Sequence, residues 1–239
     1  MLKALMTVLF LGGAGLLVGT SLLAQGSGSN EHDIQLGKAI FHDKGSPTGI
    51  ACIHCHADFN EKKEPDDLVR PAHPLFNAGF RAEWQTWDGR KIATLDMAIL
   101  TCMERWITER ENGDSKAPPK HQIRQLKAYL RSNKLSPERK SKPIEPNFSK
   151  QLPRERALRA GDPALGSTVF RKSCMICHAT DGGGPAPSLL RNGYSRYQIA
   201  KKVREVENSG LNGLVMPPFP KDRLSDRQLI NVVAFVYQM

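Results

Sequence analysis

Cys52-Ile53-His54-Cys55-His56, and again Cys174-Met175-Ile176-Cys177-His178, are the stretches from which the rest of the chain can be read. Each follows a glycine and an aromatic residue four positions apart, Gly37 and Phe41 before the first, Gly166 and Phe170 before the second. Two thiols separated by two residues reach the two vinyl groups of one haem and form thioethers. The adjacent histidine then lies beneath the porphyrin as the proximal ligand to iron. Cys52, Cys55, Cys174 and Cys177 are therefore the expected attachment residues, and His56 and His178 the expected iron ligands, for two covalently bound haem c groups. Zinc fits less well, because the cysteine pairs stand about 120 residues apart, far beyond ribbon spacing. A thioredoxin-like pair would want a preceding strand and no following histidine.

Outward from the motifs, the chain repeats itself. Each unit opens with a short amphipathic helix carrying the Gly-x-x-x-Phe pattern and ends with a helix of regular apolar spacing. Ile123, Leu126, Tyr129 and Leu130 form that stripe in the first unit; Leu229, Val232, Val233, Val236 and Tyr237 form it in the second. Ser225 is the expected cap of the last helix. Thr94–Asn112 reads as a further helix ended by Gly113. No alternating strand pattern stands out, so the fold class expected is all-α, with two small helical domains at 30–132 and 160–239 joined by a linker at 133–159.

Residues 1–29 begin with Lys3, continue through an apolar run at 4–24 and end in a Gly/Ser segment. This is the layout of an export signal. The run is near the length that spans a bilayer, so it reads either as a cleaved signal peptide or as a retained membrane anchor. Both place the rest of the chain outside the cytoplasmic membrane, in the periplasm.

The 239 residues carry 34 Lys and Arg against 24 Asp and Glu, a net charge of +10. Nine of those cations and only three of the anions fall in Arg131–Arg159, where Pro137, Pro143, Pro146 and Pro153 break any long helical period. A solvated linker is the preferred reading of that stretch. With no aromatic interleaving and no nucleic-acid motif, nucleic acid is not an expected partner. A redox protein with an acidic docking face suits the charge.

Five cysteines is an odd number, and Cys102 is the one left outside the motifs. On a helical wheel it sits at the centre of an apolar face with Leu95, Ile99 and Trp106, while Met97 points to the opposite side. The residues alone leave two roles open for it, a thiolate ligand to ferric iron or an inert buried thiol. Met97, Met103, His73 and His121 are the other candidates for the distal position at the first haem.

Both units resemble class I c-type cytochrome domains, the second most specifically. There Cys174–His178 is followed by Gly182-Gly183-Gly184-Pro185-Ala186-Pro187, then Met216-Pro217-Pro218-Phe219, then Leu224-Ser225-Asp226. The resemblance implies that Met216 is the distal ligand and that the Pro187 carbonyl orients the His178 ring. Pro217 also biases Met216 toward extended backbone, which suits a ligand held in a loop. The first unit lacks a Met-Pro loop. Its Cys102-Met103-Glu104-Arg105 segment and its Leu68–Phe76 stretch resemble the His/Cys-ligated haem domain of thiosulfate dehydrogenases and Sox-type cytochromes. That likeness implies Cys102 as the distal ligand and makes Arg70 and Arg105 candidates for an anionic sulfur substrate or for the haem propionates. The expected function is single-electron transfer between periplasmic or membrane-bound redox proteins. The alternative is oxidation of an inorganic sulfur anion such as thiosulfate at the first haem.

Overall fold

The computed structural model describes residues 25–87, 89–111, 114–148, 151–179, 184–205 and 216–239. The apolar run at 4–24, Gly113, Gly182 and Gly183 lie outside the described residues. Among those described, no helix is long and apolar enough to cross a membrane.

The chain is mostly helical. Its helices are α1 (Gln25–His42), α2 (Cys52–Cys55), α3 (Leu95–Cys102), α4 (Lys120–Leu130), α5 (Glu155–Arg159), α6 (Pro163–Ser173), α7 (Arg196–Arg204) and α8 (Asp226–Val236). The expectation of an all-α chain needs one amendment. Among the described residues there are two short antiparallel ribbons, Trp84–Gln85 (β1) with Lys91–Ile92 (β2) and Arg110–Glu111 (β3) with Asp114–Ser115 (β4).

The Gly-x-x-x-Phe helices do one job twice. Gly37 of α1 lies against the backbone carbonyl of Gln125 in α4, and a methyl group there would also come within 2.8 Å of Tyr129 Cβ. Gly166 of α6 lies against the carbonyl of Asn231 in α8, and a methyl group would meet Phe235 Cβ at 2.8 Å. In both pairs the glycine lets two helix backbones touch. The aromatic four residues on then closes the crossing. Phe41 meets Tyr129 edge-on at 5.8 Å, and Phe170 meets Phe235 at 5.3 Å. Phe41 and Phe170 are both fully buried.

The helix starts follow from local chemistry. Asp162 caps α6 by accepting from the N–H groups of Ala164 and Leu165, with Pro163 in the first turn where its missing N–H costs nothing. Ser225 caps α8 in a reciprocal box with Gln228, as Ser195 does for α7 with Gln198. Thr94 caps α3 through the N–H of Met97. The helix expected over Thr94–Asn112 is shorter than its periodicity suggested. After Cys102 the backbone widens into one π-helical turn, Met103–Ile107, and stops at Thr108. The Trp106 carbonyl accepts from the Thr48 hydroxyl at 2.7 Å, which ties this turn to the segment just before the first motif.

Among the described residues two apolar clusters result. One gathers Phe41, Leu75, Leu95, Ile99, Met103, Trp106, Leu126, Tyr129, Leu130 and Leu135. The other gathers Leu158, Phe170, Ile199, Val203, Phe219, Leu224, Leu229, Val232 and Val233. Leu135 and Leu158 show that the basic stretch between them is anchored at both ends.

A polar seam joins the two halves. Arg223 makes a two-pronged ion pair with Glu61 at 2.7 and 2.9 Å and donates to the Arg70 carbonyl at 3.1 Å. His73 Nε2 meets Asp222 at 2.6 Å, and the Val69 N–H donates to the Lys172 carbonyl at 2.8 Å. Forked Arg–carboxylate pairs fix orientation as well as distance. The halves therefore meet in one defined register.

Candidate functional site

Each Cys-x-x-Cys-His motif forms a single turn. The His56 N–H donates to the Cys52 carbonyl at 2.8 Å, and the His178 N–H to the Cys174 carbonyl at 2.7 Å. Residues three apart on such a turn project to one side, so each pair of thiols faces the same way. All five cysteines are unbridged. Burial pushes the thiols up, Cys174 to about 12 and Cys177 to about 11, so in the protein alone they are neutral. Cys52 is raised further, first by burial and then by charge at Cys102.

The two imidazoles are held alike. His56 Nδ1 sits 2.8 Å from the His73 carbonyl, and His178 Nδ1 sits 2.8 Å from the Pro187 carbonyl. A carbonyl only accepts, so each Nδ1 carries the proton and each Nε2 keeps its lone pair. Burial lowers His56 to about 4 and lowers His178 as well, so both rings are neutral near pH 7. A neutral imidazole with a free Nε2, oriented through its other nitrogen, is what a metal-ligating histidine requires. The Pro187 contact is the one expected from resemblance. The matching role of His73 was not foreseen, because it is played by the main chain.

Around the first motif lies a cavity of about 200 Å³ that opens to solvent. Cys52, His56 and Cys102 share it, with apolar walls from Phe41, Leu75, Leu95, Ile99, Leu126 and Leu130. An apolar slot with a motif thiol, a ligand-ready imidazole and a further thiol matches a flat, mostly apolar macrocycle carrying iron. Burial pushes Cys102 up to about 11, and a charge on it would be felt at both Cys52 and Cys55.

The other candidates for the distal position separate clearly. Met97 is 51% exposed on the outer face of α3, and His121 is exposed on α4. His73 lines the cavity, but its Nε2 is taken by Asp222. Met103, 2% exposed, lines the cavity beside Cys102 and is the remaining competitor. His54 turns inward, where its Nδ1 accepts from the Ala51 N–H at 3.0 Å.

Arg70 does not face the cavity. It is 3% exposed, donates to the Ile53 carbonyl inside the first motif at 2.8 Å, and pairs with Asp66 through both terminal nitrogens. Its work is to hold the motif loop, with Nε and both terminal nitrogens already engaged. Arg105 stacks over Trp87 at 5.6 Å.

In the second half, Met216 is half-buried against the cluster that contains Cys174 and Phe219. Arg204, missed by sequence reasoning, holds that loop. It donates to the Phe219 carbonyl at 2.8 Å and to Asp226 at 3.0 Å, and the Phe219 N–H donates to the Val203 carbonyl at 2.8 Å. Gly184 sits so close to the Cys177 carbonyl that no side chain fits. Pro217, Pro218 and Pro220, which follow Met216, also wall the first cavity.

No curated protein matches the chain. A family model described as Cytochrome C oxidase, cbb3-type, subunit III matches residues 161–236, the segment that holds Cys174, Cys177, His178 and Met216. With the geometry above, this match supports a c-type cytochrome, an electron-transfer protein with covalently bound haem c.

Proposed function

We propose that the chain is a periplasmic dihaem cytochrome c that passes single electrons between redox partners. The observation that carries this reading is the matched pair of imidazoles, each donating its Nδ1 proton to a carbonyl 2.8 Å away. Cys52 and Cys55 would hold one haem with His56 and Cys102 as ligands. Cys174 and Cys177 would hold the other with His178 and Met216. Each haem, when bound, supplies one-electron chemistry at its iron. A thiolate favours ferric iron and a thioether favours ferrous iron, so the Cys102 side would have the lower potential.

The protein's part is to orient, to exclude water and to keep the two sites close. The His73 and Pro187 carbonyls fix the rings. Pro217, Pro218 and Pro220 add to the wall of the first cavity. A charge on Cys177 is felt at Cys55, which is consistent with a short gap between the attachment loops. Residues 1–29 would serve as export signal or anchor. The commitment of Arg70 to Asp66 and Ile53 gives no support to a sulfur-anion site there.

Intact mass after extraction with acidified organic solvent tests the reading. Two haem additions per chain are expected, and the chain should stay coloured. A colourless chain, or one carrying a single haem, overturns it. The net charge of +10 makes a separate prediction. Reduction by an acidic partner should slow steeply as ionic strength rises, because screening shortens the reach of the basic surface. Stopped-flow rates that do not change with salt would contradict an acidic docking face.

A further inference from the structure

Among the described residues, three arginines drawn into the protein around the motifs hold a carboxylate: Arg70 pairs with Asp66, Arg204 with Asp226 and Arg223 with Glu61. Arg81 differs from these three. It lines the cavity shared by Cys52, His56 and Cys102, and among the described residues it makes no ion pair. Its guanidinium has two hydrogen bonds, to Ser141 Oγ and to the Pro74 carbonyl, both to neutral oxygens and both long at 3.4 Å. Glu83, the carboxylate in the same wall, is taken by Lys91 at 3.2 Å.

Beside it stands a second unmet donor. The Arg81 guanidinium lies 5.1 Å from the centre of the Trp84 ring. Trp84 also lines the cavity, and its buried indole Nε1 has no hydrogen-bond partner. An indole nitrogen can only donate, and a guanidinium can only donate. Burying such groups without an acceptor is costly, the more so when one is charged. Desolvation accordingly lowers Arg81 to about 10. Two adjacent donors and an uncompensated positive charge in one wall describe a receptor for an oxyanion.

We infer that Arg81 and Trp84 form the carboxylate site of the first cavity and receive a propionate of the haem held there. This rests on the two-haem reading above. A guanidinium fork suits a carboxylate, and the adjacent indole N–H is available to the same group. The pair would neutralise the propionate and raise the potential of that haem. Ser141, bonded to Arg81, would bring the basic linker into the same site.

The test uses the full haem-loaded chain and its Arg81→Gln, Arg81→Lys and Trp84→Phe variants, with haem content checked by mass. Arg81→Gln is expected to lower the reduction equilibrium constant of the first haem about tenfold, which is about 59 mV for one electron. It should also make that potential fall with rising pH, as the unpaired propionate loses its proton. Arg81→Lys should restore most of the difference. Trp84→Phe should shift the potential in the same direction by a smaller amount, and carries the test if Arg81→Gln does not fold. A two-haem chain whose glutamine variant keeps the wild-type potential and pH profile overturns the inference alone. So does a saturable response of the wild-type potential to sodium sulfate at constant ionic strength that Arg81→Gln abolishes, since the site would then take a free anion. A chain with one haem overturns the two-haem reading itself.

Discussion

Replacing Cys102 by alanine is expected to erase one of two low-spin ferric signals in low-temperature electron paramagnetic resonance. The signal lost should be the thiolate type, while that of the haem assigned to Met216 stays unchanged. Cys102 shares a cavity with Cys52 and His56, and a charge on it reaches both motif thiols. Met103 is the competitor to be eliminated, since it lines the same cavity and is 2% exposed. Met103→Leu conserves volume and apolarity, so it should leave both signals in place. If Cys102→Ala gives the wild-type spectrum and Met103→Leu does not, the ligand is the methionine.

The second large effect concerns packing. Gly37→Ala and Gly166→Ala are each expected to destabilise the protein by about 3 kcal/mol, since an added methyl group must push two helix backbones apart. At that cost, thermal unfolding would come about 10 °C earlier in a chain of this size. The obstruction is a carbonyl of the facing helix, of Gln125 or of Asn231, and main chain cannot swing aside as a side chain can. Gly45→Ala is the control. There the nearest atom is the Asp43 carboxylate oxygen at 3.1 Å, so Tm should move by no more than about 2 °C. Equal losses in all three variants would mean that the helix crossings are not what the two glycines protect.

Much of this arrangement was legible because its causes are local. Asp226 and Ser225 mark the start of α8 by cap chemistry, and the apolar spacing of Leu229, Val232, Val233 and Val236 marks its buried face. The same logic found Leu95 and Ile99 inward and Met97 outward on α3. Periodicity failed beyond Cys102, because a π-helical turn abandons the 3.6-residue repeat on which the wheel depends. The ribbons escaped notice because two-residue strands are too short to alternate.

At the candidate site, side-chain reasoning could propose Cys102 but could not see what His73 does. Its contribution to His56 is a carbonyl, which every residue possesses, while its imidazole is spent on Asp222, distant in sequence. Arg70 misled for a related reason. An arginine beside a motif looks available until the carboxylate that claims it is known, and Asp66, four residues away, lies in a loop where no helix announces the pairing. Arg81 and Trp84 are only three residues apart, but nothing in that spacing shows that both line the cavity of His56.

The proline run after Met216 bears on how the chain can be taken apart. Pro217, Pro218 and Pro220 belong by sequence to one half and by location to the wall of the other half's cavity. The protein is thus poorly suited to modular shuffling. A cut in the basic linker would give a front fragment missing part of its lining and a back fragment carrying a lining with nothing to enclose. Gene fusion or fission at that point would disturb both halves at once.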